Sequence, residues 1–204
     1  MSAFFQEALE TASLDEIRSL QTSRLKKMVR HVYEHNEVYR ERLKARGVGP
    51  EGVRSLDDLR KLPLMNKELL RETYPMKLLC VPASEIIEMH MSSGSTGAPI
   101  VMPYTRADLQ QWAECMARCY FMAGARASDP VQITPSFGLF NGGFGMYHGA
   151  RAAGLFIIPT GAGNTPRQIR LAQDFGTRVV TGVVSYGMRI MEVLQEMSET
   201  APKV

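Results

Sequence analysis

No stretch of this chain approaches the roughly 20 consecutive apolar residues that a membrane-spanning helix requires, so no membrane partner is expected. The N-terminal residues MSAFFQEALE carry early acids and lack the basic-then-apolar layout of a secretory leader, which places the protein in the cytoplasm. Cysteine is scarce. Cys80, Cys115 and Cys119 are an odd number and build no disulfide framework, which agrees with a reducing compartment. Charge of one sign is also lacking: the formal net charge of +3 is too small and too dispersed to argue for nucleic acid. The densest basic stretch, Arg24 to Arg30, carries Leu25, Met28 and Val29 at helical spacing and reads as the wet edge of an amphipathic helix. No internal repeat and no low-complexity segment is present.

What is present is ordinary for a globular protein. The 204 residues suffice for one large domain or one and a half small ones, and an apolar content of 45% excludes disorder. Residues 1–76 read as a helical N-terminal microdomain. From Asp15 to Glu34, Ile17, Leu20, Leu25, Met28, Val29 and Val32 follow a helical period. A shorter helix from Glu37 to Arg46 ends at Gly47, and Ser55 and Asn66 precede acid-containing helix starts as N-caps. Pro63 and Pro75 mark the breaks.

From residue 77 the texture alternates between strand and helix. Strands are expected at Ile86 to Met91, Ile100 to Tyr104, Val131 to Thr134, Leu155 to Pro159 and Arg178 to Thr181. Helices are expected at Arg106 to Met122, Met146 to Ala153, Pro166 to Phe175 with Thr165 as N-cap, and Tyr186 to Met197. Pro135 to Gly145 reads as a glycine-rich turn. The fold class is therefore α/β: residues 77–204 form a partial, mostly parallel sheet with flanking helices. Ligands of such sheets sit in loops at the carboxyl ends of the strands.

The strongest local signal is SSGSTGAP, Ser92 to Pro99, between two strands. Its glycines permit the left-handed turns that aim successive N–H groups inward, and its hydroxyls add donors, a combination suited to phosphate oxygens. It is not a Walker A loop, because the GxxxxGK[ST] spacing is missing and no helix follows directly. Read alone, it is more simply a flexible hairpin turn. Other constellations are weaker. His31 and His35 lie four apart on a helix, but Lys27, Arg30 and Arg40 nearby repel a cation and no metal site is assigned. Cys115 and Cys119, also four apart, read as a buried reduced pair. His148 reads as structural and Lys67 as a surface lysine. A Rossmann dehydrogenase is disfavoured, since no GxGxxG follows a strand.

The loop pattern [ST]SG[ST]TG-x-P between strands resembles the phosphate loop of the adenylate-forming superfamily. The flanks resemble phenylacetate–CoA ligases in particular, through SLDDLRKLPLMNKELLRETYP, SSGSTGAPIVMPYTRADLQQWAE, GLFNGGFGMYHGARAAG, GNTPRQIRLAQDF and Ser185-Tyr186. The resemblance implies two steps. A carboxylate attacks the α-phosphate of MgATP to give an acyl-adenylate and pyrophosphate, and the CoA thiol then displaces AMP. It implies that Ser92, Ser93, Gly94, Ser95, Thr96 and Gly97 hold the β- and γ-phosphates. It also places Phe137, Phe140, Gly142 and Gly143 in the pocket for the acid, with Phe140 as an aromatic wall. Two departures stand out. Ala98 occupies a position where the family usually carries lysine, and Thr134-Pro135-Ser136-Phe137 stands where the family tends to place tyrosines.

The implied substrates are ATP with Mg2+, CoA, and phenylacetate or a related aryl acid. The family's adenine- and magnesium-contacting segment, its ribose-binding acid and its catalytic lysine lie beyond the motifs found here, so the chain is expected to stop before the enzyme is complete. An engineered piece, a truncated gene product and one half of a split enzyme all fit. A homodimer or a complementing C-terminal chain is left open. The chain alone is expected not to complete a CoA-ligation cycle. The other readings are an adenylating enzyme with a non-CoA acceptor, and a catalytically inactive nucleotide-binding or interaction fragment.

Overall fold

The computed structural model describes residues 2–92 and 98–200, with the side chains of residues 199 and 200 left aside. Its helices and strands in chain order are α1 (Glu7–Glu10), α2 (Leu14–His35), α3 (Glu37–Ala45), α4 (Lys67–Glu72), β1 (Ile86–Met91), β2 (Val101–Thr105), α5 (Arg106–Met122), β3 (Pro130–Ile133), α6 (Asn141–Ala152), β4 (Phe156–Ile158), α7 (Thr165–Asp174), β5 (Val179–Thr181) and α8 (Val184–Thr200). The chain divides into two compact units. One is Glu7–Arg106; the other joins Met1–Gln6 to Ala107–Val204. The change of texture at residue 77 falls inside the first of these units. Among the described residues no helix is long and apolar enough to cross a membrane.

The unit Glu7–Arg106 is built from local devices. A capping box opens α2: the backbone N–H of Ser13 donates to Glu16 Oε2 at 2.8 Å, and the Glu16 N–H donates back to Ser13 Oγ at 3.3 Å. Asn36 ends α2 and caps α3, its Oδ1 accepting from the Tyr39 N–H. The buried side chain of Asn36 also donates to the carbonyls of Lys77 and Leu79, which ties the helices to the segment before the strands. Gly47, at φ 66°, lets the chain leave α3 in the left-handed conformation. A 3₁₀ turn at Leu56–Lys61 follows Ser55. Val29, Leu43, Val48 and Val53 form the small core. Strands β1 and β2 pair antiparallel, with His90 opposite Met102 and Met91 opposite Val101. The second strand starts at Val101; Ile100 belongs to the connection.

The other unit is the parallel α/β layer. Its strand order is β4-β3-β5, with β3 paired parallel to both neighbours. Period-two alternation divides the faces of β3. Val131 and Ile133 are fully buried in a core with Ala117 and Tyr120 of α5 and Ala150 of α6, whereas Gln132 turns the other way and bonds to Gln168 of α7. Helices α6 and α7 therefore cover opposite faces. The N-terminal residues join this core through Phe5, whose ring lies 5.5 Å from that of Phe121.

Three expectations are corrected here. The glycine-rich stretch is not a turn throughout. Helix α6 begins at Asn141, because Gly143, Gly145 and Gly149 allow its buried face to pack against other backbone and against Trp112 and Met116 of α5. A Cβ on Gly149 would fall 2.2 Å from Met116 Cβ, so the glycines here serve close helix packing. The N-cap of α7 is Asn164, not Thr165. Asn164 sits in the left-handed region at φ 46° and its side chain accepts from the Arg167 N–H, placing Thr165 and Pro166 inside the first turn. Cys115 and Cys119 are exposed, because the buried stripe of α5 runs through Ala117 and Tyr120.

Candidate functional site

In the chain, SSGSTGAP connects β1 to β2. Ser92 closes its base. The Ser92 N–H donates to the Ile100 carbonyl at 3.0 Å, and Ser92 Oγ accepts from the Ile100 N–H at 2.9 Å, which leaves the hydroxyl proton available for donation. Ser93, Gly94, Ser95, Thr96 and Gly97 lie outside the described residues. Ala98 is exposed. Two residues before the loop, His90 is buried in the hairpin. Its Nε2 donates to Glu88 Oε1 at 2.7 Å, and its ring meets the Tyr104 ring edge-on at 5.7 Å.

In the parallel layer, the loops that follow all three strands converge on one cleft of about 290 Å³. Thr134, Pro135 and Ser136 come from the loop after β3, Ala162 and Gly163 from the loop after β4, and Gly182 and Val183 from the end of β5, with Tyr186 one turn into α8. This is where a parallel α/β sheet concentrates its ligands, at the carboxyl ends of the strands. The lining is mainly apolar with a few hydroxyls, the usual character of a small-molecule pocket. Tyr186 Oη approaches Thr165 Oγ1 at 3.5 Å.

The walls of the cleft are fixed from behind. The loop after β3 is held between two glycines. A Cβ on Gly143 would stand 2.5 Å from the Ser136 carbonyl oxygen, and one on Gly182 would stand 2.6 Å from Thr134 Oγ1. Thr134 in turn donates its hydroxyl to the Thr181 carbonyl at 2.6 Å, joining the ends of β3 and β5. The loop after β4 is left-handed at Gly161, Gly163 and Asn164, with φ of 67°, 96° and 46°. The Gly161 N–H donates to the Ile133 carbonyl at 2.9 Å, and Thr160 Oγ1 lies 3.1 Å from the same oxygen.

The residues expected to line an acid pocket fall around this turn. Phe137 is half-buried, its ring edge-on to Phe144 at 5.5 Å and to Tyr147 at 6.2 Å, and it packs against Gly161. Phe140 stands at the N-cap position of α6, makes no side-chain cap bond, and is 52% exposed. Gly142 and Gly143 occupy the first turn of α6, Gly143 beneath Ser136. His148 packs among Trp112, Phe144 and Tyr147. Lys67 is exposed. The rings of His31 and His35 stack at 4.6 Å, and among the described residues no group of three or more His, Cys, Asp or Glu side chains is placed to hold a metal ion. The sequence reading passed over Ala162, Gly163, Gly182 and Val183. The signal that could have found them is positional: Gly182 and Val183 follow β5 directly, and Ala162 and Gly163 lie in the short loop between β4 and α7.

No protein-family model matches the chain. It is 42% identical over 188 residues to a phenylacetate–coenzyme A ligase of Thermus thermophilus, 41% identical over 191 residues to one of Aromatoleum evansii, and 39% identical over 189 residues to one of Escherichia coli. These matches cover 92–94% of the chain but only 42–43% of the relatives, so the chain spans less than half their length. A solved structure of a 2-hydroxyisobutyryl-CoA ligase, in complex with 2-HIB-AMP and CoA, superposes with a TM-score of 0.89 at 28% identity. It covers 97% of this chain and 47% of that one. By sequence the chain is similar, over nearly all its length, to a portion of phenylacetate–CoA ligases, and by fold to a portion of an acyl-CoA ligase.

Proposed function

We infer that this chain serves an ATP-dependent carboxylate–CoA ligase that activates phenylacetate or a related aryl acid. The observation that carries the reading is the 39–42% identity to phenylacetate–CoA ligases over nearly the whole chain. In the reaction, a carboxylate oxygen attacks the α-phosphorus of ATP and pyrophosphate leaves. The CoA thiol then attacks the acyl carbon and AMP leaves. The role of Ser92 to Gly97 is to hold the β- and γ-phosphates with preorganised donors while charge moves onto pyrophosphate. Mg2+ enters as the counter-ion of ATP, and no step is assigned to it on this chain. Phe137 and Phe140, with Gly142 and Gly143 behind the Pro135–Ser136 turn, form the acid-binding side, next to the mainly apolar cleft.

The test is calorimetric ATP binding by the purified chain, with Ser95→Ala and Thr96→Ala alongside. Binding weakened about tenfold by either variant, as expected for one lost hydrogen bond to a charged group, supports a working phosphate loop. A folded chain that binds no ATP, or variants that bind as well as the parent, overturns the assignment of the loop. Pyrophosphate release with MgATP and a panel of acids follows. Acid-dependent pyrophosphate release identifies the acid that is activated; release with none of the acids argues against the adenylation step on this chain. The panel includes 2-hydroxyisobutyrate, because the structural neighbour binds the adenylate of that acid and Ser136 and Tyr186 bring hydroxyls to the cleft.

A further inference from the structure

The most heavily bonded buried side chain in the parallel layer lines neither a hydrophobic core nor the cleft. Gln168, in the second turn of α7, is 3% exposed. Its Nε2 donates to the carbonyls of Gly161 at 2.6 Å and Gly163 at 3.3 Å. Its Oε1 accepts from Thr160 Oγ1 at 2.6 Å and from Nε2 of Gln132 on β3. Gln132, 1% exposed, donates a second bond from the same nitrogen to the Gln168 carbonyl at 3.1 Å and accepts from Thr177 Oγ1 at 3.4 Å. A buried amide costs free energy unless its groups are paired, and here both ends of Gln168 are.

The location of this network matters. The Gly161–Asn164 loop takes three left-handed positions in four residues and contributes Ala162 and Gly163 to the cleft. A loop of that composition has many alternatives in the absence of a restraint. The two donors of Gln168 span it, one on the carbonyl before Ala162 and one on the carbonyl after it.

We propose that Gln168 is the positioning residue for the ligand cleft: its side-chain amide fixes the Gly161–Gly163 wall, and so sets affinity for the acyl-adenylate without touching it. Gln132 has a different task. It anchors α7 to β3 and leaves the loop bonds to its partner. The ligand part of this inference rests on the ligase reading above, and the loop part does not.

Two variants of the chain separate the roles. Gln168→Met keeps the length and apolar stem and loses both donors; Gln132→Met loses the link between helix and strand while Gln168 still faces the loop. Hydrogen exchange at the Gly161 amide reports the wall, since that N–H is bonded to Ile133. Calorimetry with a non-hydrolysable sulfamoyl analogue of phenylacetyl-adenylate reports affinity. Gln168→Met is expected to speed Gly161 exchange and weaken the analogue about tenfold each, with exchange at Val131 and Ile133 changed far less. Gln132→Met is expected to lower the melting temperature while leaving both loop readouts within about twofold. The inference is overturned if Gln168→Met leaves Gly161 exchange unchanged, or if Gln132→Met moves the loop and the affinity equally. If the parent chain fails to bind the analogue, the ligase reading suffers, and exchange at Gly161 alone still decides the role of Gln168.

Discussion

The two compact units carry their candidate sites in opposite ways. In Glu7–Arg106 the candidate is contiguous in sequence, the octapeptide Ser92 to Pro99 between β1 and β2, and the described structure of the unit is held by caps, turns and a core of three valines and a leucine. In the unit that begins at Ala107 the site is a cleft whose walls come from positions up to about 50 residues apart, Thr134 to Tyr186. A motif on a hairpin can be read along the chain, because its chemistry needs only neighbours. A cleft at strand ends exists only once β3, β4 and β5 are in register, so it depends on the packing that sets the register.

The largest effect that tests this contrast is in the cores. Ile133 is fully buried at the centre of the parallel layer, and its truncation to alanine is expected to cost about 2–5 kcal/mol. Val53, 2% exposed in the helical unit, should cost about 1–2 kcal/mol on the same change. Because the two residues belong to separate clusters, hydrogen exchange resolved by residue should accelerate in residues 107–200 for Ile133→Ala and in residues 25–53 for Val53→Ala. Equal acceleration of both regions by either variant would mean that the units unfold as one, and the contrast would then be one of site construction only.

A sharper and smaller test lies in two adjacent glycines. Gly143→Ala places a methyl group 2.5 Å from a backbone oxygen of Ser136, which cannot rotate away, so a loss of about 1–3 kcal/mol is expected. Gly142→Ala meets only Pro135 Cβ at 3.6 Å, an ordinary contact, and should stabilise α6 by up to about 1 kcal/mol. Denaturant midpoints of the two variants should therefore move in opposite directions. If both fall, the turn over α6 tolerates neither, and the close approach at Gly143 is not the special feature of that wall.

Much of the architecture was legible in the sequence because its elements are strongly periodic or sharply capped. The expected helix at Arg106 to Met122 matches α5, and Asn66 caps α4. The strand at Ile86 to Met91 is β1. What failed to show in the sequence was tertiary. Asn141–Gly145 reads as a turn because glycine disfavours helices, yet the helix forms there since only glycine fits against Ser136 at position 143 and Trp112 at position 145. Cys115 and Cys119 face outward because Ala117 and Tyr120 take the buried stripe, a choice that residue type alone does not make. At the candidate site SSGSTGAP is legible as a motif, whereas Gln168 looks like one polar residue of a helix. Its role depends on the turn of the Gly161–Gly163 loop, whose carbonyls it reaches only once the chain is folded.

The smallest expected effect concerns acid, and it bears on the helical unit. Asp58 is held well below the usual carboxylate range, first by the ammonium of Lys61 at 2.6 Å and then by the backbone N–H groups of Arg54 and Ser55. Glu16 is lowered by the side-chain and backbone bonds of Ser13. A carboxylate whose folded pKa is depressed contributes stability that is fully present above its unfolded pKa, about 3.9 for Asp. That contribution is lost as pH falls from there toward the folded value. Exchange at Val53 should therefore accelerate between about pH 4 and pH 2, and Asp58→Asn should flatten that dependence while lowering stability at neutral pH. Both carboxylates sit in turns and caps of Glu7–Arg106, so acid should loosen this unit first. Earlier acceleration at Val131 and Ile133 would place the acid-sensitive contacts in the parallel layer instead, and would remove local capping as the feature that distinguishes the two units.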